Sequence, residues 1–99
     1  MYGTVAKLHV KPGMEQHLQS LQNTYDAQKV PGYVMTLVYR MDNEPDVYYL
    51  ATVFDSKESY VANADSPEQN DRYLQMMEMM SAEPEWHDGE IVSADIPNR

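Results

Sequence analysis

The first part of the chain alternates between apolar and polar positions and then changes to a helical period. Residues 4–10 place Ala6, Leu8 and Val10 on one face, which is the period of two that is typical of a β-strand. Beyond a Lys-Pro-Gly turn, apolar residues recur every three or four positions, which predicts an amphipathic helix that ends before Pro31. The apolar stripe of this helix consists of Met14, Leu18, Leu21 and Tyr25.

A pair of runs rich in β-branched and aromatic residues comes next, over residues 33–41 and 47–54. Both compositions favour strands, and the Asp-Asn-Glu-Pro segment between them favours a turn. The sequence therefore predicts a β-hairpin.

Signals for the start of a helix occur twice after the hairpin. Asp55 is predicted to cap a short helix, with Glu58 three residues further on as the second half of a capping box. Ser66 is predicted to cap another helix, in which Pro67 takes the first position and Gln69 reaches back from the third. The apolar stripe predicted for that helix contains Tyr73, Met76, Met77 and Met80.

A last strand is predicted over residues 86–96, which completes the order βαββα(α)β. This order predicts an α+β fold of the ferredoxin-like kind, an antiparallel sheet with helices on one face. In the two hairpin strands both alternating sets of positions are largely apolar, whereas a sheet face in contact with water is expected to be polar. We therefore expect the second face to pack against a second copy of the chain in a homodimer.

Composition narrows the class of protein. The 99 residues predict a single domain over 1–99, and the net charge of −9 argues against binding to nucleic acid or to an anionic membrane. Cysteine is absent, and neither a leader nor a long apolar segment is recognisable, so we expect a cytoplasmic protein. Eight methionines and eight tyrosines favour a deformable, partly polar pocket lining.

The negative charge is concentrated in residues 51–99, which hold three basic and eleven acidic side chains. Solvated helix faces are one explanation, because such charges keep a small protein soluble. The other is a preference of the helical side of the sheet for neutral or cationic ligands.

Three segments allow a comparison with known proteins: residues 6–13 with their Lys-Pro-Gly turn, residues 54–63, and the Ser66-Pro67 pair. In order and spacing they resemble the antibiotic biosynthesis monooxygenase-like family of dimeric α+β barrels. The resemblance implies a dimer with a pocket between sheet and helices in each subunit. It also implies oxidation of electron-rich phenols, quinols or anthrones with O2, without flavin, haem or metal, because an ionised phenol can itself donate an electron to O2.

Candidate site residues follow from the resemblance and from residue chemistry. Phe54 and Asn63 stand where the family often has Trp and His, so the amide of Asn63 can donate hydrogen bonds but cannot accept a proton at neutral pH. Asn63 and His17 are predicted to orient the substrate. The three histidines are too scattered to predict a metal site. Residues predicted to contact the substrate are Phe54, Tyr60, Tyr73, Met77 and Trp86.

Several functions remain open on the sequence alone. The leading hypothesis is a cofactor-independent monooxygenase that acts on a small aromatic. The alternatives are a non-catalytic dimer that binds a small molecule, and an isomerase or cyclase of the same fold.

Overall fold

The computed structural model of the chain describes residues 1–95 and residue 97, apart from the side chains of residue 22 and residues 24–28. Within this part of the chain, strands and helices follow one another in the predicted order. The elements are β1 (Tyr2–His9), α1 (Glu15–Gln28), β2 (Tyr33–Arg40), β3 (Val47–Phe54), α2 (Lys57–Ala64), α3 (Pro67–Glu78) and β4 (Glu85–Glu90). Among the described residues, no helix is both long enough and apolar enough to cross a membrane.

The four strands form one antiparallel sheet in the order β2-β3-β1-β4. Ala6 and Leu8 of the central strand β1 are fully buried beneath the helices, and Leu18 and Leu21 of α1 pack in the same core. The ferredoxin-like α+β fold is therefore confirmed. The predicted stripe of α1 is confirmed at these two leucines, whereas the side chain of Tyr25 lies outside the described residues.

The starts of the last two helices differ in how well the sequence predicted them. Asp55 was the wrong cap for α2, because its backbone N–H donates to the Gly32 carbonyl at 2.8 Å and so extends the pairing between the end of β3 and the start of β2. Ser56 is the cap, with extended backbone and a hydroxyl that accepts from the Ser59 N–H at 3.1 Å. For α3, Ser66 is confirmed as the cap, since its hydroxyl accepts from the backbone N–H of residue 69 at 3.1 Å. The predicted return contact of Gln69 is not found, because the backbone N–H of Ser66 donates to the Asn63 carbonyl at 3.0 Å.

A β-bulge near the start of β2 changes which face Tyr33 occupies. Strict alternation would place Tyr33 on the same face as Met35, but Tyr33 pairs with Phe54 while Met35 pairs with Val53. The extra residue rotates the strand by one position. The Tyr33 ring therefore lies edge-on to Phe54 at 5.7 Å, and its hydroxyl donates to Thr36 at 2.8 Å.

Strand β4 is shorter than predicted and ends at Glu90. Its partner β1 begins at Tyr2, which pairs with Glu90, and one further backbone hydrogen bond, from the Ile91 N–H to the Met1 carbonyl at 2.9 Å, follows this pair. Apolar side chains at Ile91 and Val92 suggested a longer strand, yet Val92 is 89% exposed. Residue 96, the predicted end of the strand, lies outside the described residues.

Candidate functional site

A cavity of about 80 Å³ lies between the sheet and the helices. The sheet contributes Thr4, Thr52 and Phe54 to its wall, and Trp86 of β4 closes one side. Most of the lining is apolar or aromatic, as is usual for small-molecule sites. Five of the residues predicted from the sequence are brought together here: Phe54, Tyr60, Asn63, Tyr73 and Trp86.

Two predicted residues lie elsewhere. His17 is exposed and lines a separate groove between α1 and α3, together with Gln75 and Glu78. Met77 is half-buried, and the cavity is lined by Met76 instead. Neighbouring residues on an α-helix point about 100° apart, so only one of this pair can face the cavity. The role predicted for His17 therefore finds no support in the position of its side chain.

A set of polar side chains connects the end of α2 to the start of α3 at the cavity wall. The Gln69 side-chain oxygen Oε1 accepts from Asn63 Nδ2 at 3.2 Å and from Arg72 Nη1 at 2.9 Å. The Ser66 hydroxyl donates to the backbone carbonyl of Asn63 at 2.7 Å. These bonds hold Asn63 and Arg72 in a fixed relation to each other. Gln69 thus turns its side chain to these two donors, a role that the sequence did not indicate.

Arg72 is the residue that sequence reasoning missed. It is only 6% exposed, although most arginines lie largely exposed at the protein surface. Among the described side chains that line the cavity, its guanidinium carries the only formal charge at neutral pH. A signal was present, since Arg72 precedes Met76 by four residues and so shares the apolar face of α3.

The described residues of the cavity lining therefore differ in sign of charge from the chain as a whole. Acidic residues 51–99 suggested a preference for neutral or cationic ligands on the helical side. Among the lining residues that the structure describes, the charged group is instead the cation of Arg72. Acidic side chains such as Glu58 and Glu68 lie on exposed helix surface.

An open groove on the surface adjoins the cavity. Val30 and Pro31 form one side of it, and Glu58 and Glu68 of the two later helices lie on its rim. The groove and the cavity share two lining residues, Asn63 and Arg72. Any ligand that passes from the groove into the cavity therefore meets these two donors.

Tyr60 connects the cavity to a row of aromatic rings. Its ring centre lies 5.6 Å from that of Phe54 and 5.3 Å from that of Tyr2. Its hydroxyl donates to Asp88 Oδ1 at 2.9 Å. Burial, together with the hydrogen bond to Asp88, raises the pKa of Tyr60 from 10.0 to about 12, although a hydrogen bond with Thr4 acts in the opposite direction. At neutral pH this hydroxyl is therefore a hydrogen-bond donor and not a base.

We expect Asp88→Asn to lower the pKa of Tyr60, because it removes both the charged acceptor and its repulsion of the phenolate. Between pH 10 and pH 12 the folded protein keeps the phenolic proton of Tyr60, whereas the unfolded chain releases it. The contribution of Tyr60 to the free energy of unfolding is therefore lost as pH rises through this window. Ultraviolet titration of the tyrosines, with Tyr60→Phe to assign the step, measures the shift. Asp42→Asn makes the same change of charge in the exposed turn after β2, and an equal shift there would contradict the assignment.

The fold and the cavity together define a ferredoxin-like α+β protein with an aromatic site between sheet and helices. Residues 1–84 match the sequence profile of the antibiotic biosynthesis monooxygenase family. The chain belongs to this family, which confirms the resemblance noted from its sequence. A search of curated proteins finds no significant match.

Solved structures agree with this assignment. A protein from Chloroflexus aurantiacus, provisionally named an antibiotic biosynthesis monooxygenase, is 26% identical, with 95% of each chain covered and a TM-score of 0.73. Another of the same provisional name, from Caulobacter crescentus, is 18% identical, with 93% of this chain and 90% of that chain covered and a TM-score of 0.76. A conserved protein from Methanosarcina mazei is 20% identical, with 89% of each chain covered and a TM-score of 0.74. The last two similarities concern the fold alone.

Proposed function

We propose that the protein is a cofactor-independent monooxygenase that oxidises a small, electron-rich phenol with O2 in the cavity. The observation that carries this proposal is an aromatic cavity with two hydrogen-bond donors, Asn63 and Arg72, held at its opening by Gln69. Membership of the monooxygenase family supports the reaction class.

The chemistry requires the protein to stabilise negative charge. A phenol that has released its proton to water passes one electron to O2, which gives an aryloxyl radical and superoxide. The two combine through a new bond between a ring carbon and oxygen. Loss of the hydrogen on that carbon, with cleavage of the O–O bond, then gives a quinone and water. One phenol and one O2 thus give one quinone and one water, and no further reductant is consumed.

The described residues suit the first of these steps. Phenolate and superoxide are both anions, and preorganised N–H donors in a site that excludes water stabilise such charges strongly. Asn63 and Arg72 are donors of this kind. Asn63 cannot accept the phenol proton, and Tyr60 stays protonated, so the proton is expected to leave to solvent.

The outer face of the sheet supports a homodimer as part of the proposal. On this face Val5 is 50%, Leu37 45% and Tyr39 55% exposed in the single chain. Large apolar side chains side by side on an antiparallel sheet favour an interface. In a symmetric pair, the outer sheet face of each subunit would cover that of the other.

One alternative function has an observation in its favour. Asn63 occupies the position where the family often has a histidine, so the described cavity lining contains no side chain that accepts a proton near neutral pH. A dimer that binds a small aromatic without transforming it fits this lining as well.

Oxygen uptake by the purified, chelator-treated protein tests the proposal, with phenols, quinols and anthrones as substrates and autoxidation subtracted. We expect uptake that rises in proportion to protein concentration. Asn63→Ala is expected to reduce the rate by roughly 10- to 150-fold, since a lost hydrogen bond to a charged group costs about 1.5 to 3 kcal/mol.

Asn70→Ala is the matched control, because Asn70 is exposed on α3 and lines neither the cavity nor the groove. Binding of a phenol without any uptake would contradict the oxygenase and favour the binding protein. Equal rates in the two alanine variants would remove Asn63 from the mechanism.

A further inference from the structure

We infer that the two reactants occupy separate parts of the site: O2 enters the cavity between sheet and helices, and the ring of the phenol lies in the groove at its opening. This inference rests on the proposed function and deepens it, because it assigns a place to each reactant. Its claim about binding does not require that the phenol be oxidised.

The volume of the cavity distinguishes the two reactants. An apolar cavity that accommodates benzene has about 150 Å³, whereas a single water needs about 10 to 15 Å³. The cavity between sheet and helices has a volume of about 80 Å³, which is about half of the space that one ring needs. O2 has two atoms in place of the six carbons of benzene, so it fits where the ring does not.

The most buried part of the cavity wall is largely apolar. Four of its apolar side chains are at most 7% exposed: Leu18, Leu50, Phe54 and Met76. O2 is uncharged and donates no hydrogen bond, so it loses little on leaving water and gains dispersion contacts with such a wall. Xenon, which is also uncharged and apolar, binds in apolar cavities for the same reason.

The groove has the space that the cavity lacks. Its volume is about 810 Å³, and sites for small organic molecules span about 300 to 1,000 Å³. Val30, Pro31 and Ala62 give it an apolar wall against which a ring can pack. Asn63 lines both the groove and the cavity, so a ring in the groove and O2 in the cavity meet beside this residue.

Asn63 can stabilise the charge that passes between the two reactants. Its Nδ2 donates one N–H to Gln69 at 3.2 Å, and an amide nitrogen carries two N–H groups. In the first step of the proposed reaction the negative charge moves from the phenolate to O2. An N–H donor fixed at the opening serves both of these anions, because the charge crosses the opening as the electron is transferred.

Xenon and hydroquinone test the two places in crystals of the native protein without O2. Under pressure, xenon is expected beside Leu18, Phe54 and Met76, and soaked hydroquinone is expected in the groove without displacing the gas. Ordered water instead of xenon, held by the hydroxyls of Thr4 and Thr52 in the wall, would overturn the inference. Hydroquinone in the cavity, or its absence from the groove, would overturn it as well.

Leu18→Phe separates the two binding events in solution, because the larger side chain fills the cavity. We expect the KM for O2 to rise about fivefold or more and the KM for hydroquinone to stay unchanged. Leu74→Phe makes the same exchange on α3, where Leu74 is 54% exposed and lines neither cavity nor groove, and is expected to change neither value. Equal changes of both KM values in Leu18→Phe would contradict separate places. If this variant does not fold, the crystals of the native protein decide.

Ala62→Asp tests the groove in the same way. A carboxylate there loses hydration when a ring covers it, so we expect the KM for hydroquinone to rise about fivefold or more and the KM for O2 to stay unchanged. Asn70→Asp adds the same charge on the exposed surface of α3 and is expected to change neither value. An unchanged KM for hydroquinone in Ala62→Asp would place the ring outside the groove and overturn the inference.

The measurement of oxygen uptake remains separate from the crystals. Xenon in the cavity and hydroquinone in the groove, without any uptake, would contradict the oxygenase and support the inference about binding. Uptake by a protein whose cavity excludes xenon would do the reverse.

Discussion

Phe54→Ala is expected to lower the free energy of unfolding by about 3 to 5 kcal/mol, as is typical when a large buried aromatic is truncated. Phe54 is 1% exposed and packs edge-on against the rings of Tyr33 at 5.7 Å and Tyr60 at 5.6 Å. Alanine removes both aromatic contacts and adds empty volume to a cavity that already exists. Chemical denaturation followed by circular dichroism measures the loss, at several protein concentrations because a dimer adds to apparent stability.

Phe54→Leu is the control for this prediction. Leucine retains much of the buried volume, so the loss is expected to be clearly smaller than with alanine. If the alanine and leucine variants lose the same free energy of unfolding, the side-chain volume at position 54 would contribute nothing to stability, which would contradict the prediction. A loss below about 1 kcal/mol with alanine would contradict the burial on which the prediction depends.

The second large effect concerns assembly. The native protein is expected to have the mass of two subunits in light scattering, and Val5→Asp is expected to reduce this to one. Val5 lies on the central strand β1, is 50% exposed in the single chain, and pairs with Ala51 and His87. A carboxylate placed between two packed sheets loses its hydration without a matched partner, which costs several kcal/mol per ion.

Val61→Asp introduces the same change on α2, where Val61 is 43% exposed on the helical side of the sheet. We expect this variant to remain a dimer. A native protein with the mass of one subunit at every concentration would rule out the homodimer. Dissociation of both variants would place the interface somewhere other than the outer sheet face.

Much of the fold was predictable because it depends on neighbouring residues. The β-branched and aromatic composition of residues 47–54 predicted β3 with its observed bounds, and Ser66 with Pro67 predicted the start of α3. The prediction was wrong where the end of an element depends on a residue far away in the sequence. The backbone N–H of Asp55 bonds to the Gly32 carbonyl, and the cap of α2 lies one residue later. Strand β4 ends at Glu90, the residue that pairs with Tyr2 at the start of β1.

The site shows the same division. Aromatic residues such as Phe54 and Trp86 were foreseeable as lining because they lie near the ends of predicted strands, where the mouth of a pocket is expected. Arg72 was not, because a charged residue on a helix is most often solvated, and only the packing of α3 on the sheet buries it. The bulge that turns Tyr33 toward Phe54 was equally hidden, since one extra residue in a strand leaves no periodic signal.

The sequence by itself determined the order of strands and helices, the α+β class and the family, because periodicity, caps and short motifs act over a few neighbouring residues. Only the tertiary structure decided the volume of the cavity, the burial of Arg72 and its contact with Gln69 beside Asn63. These properties depend on how separate elements pack, and the free energy of that packing is shared among residues far apart in the chain.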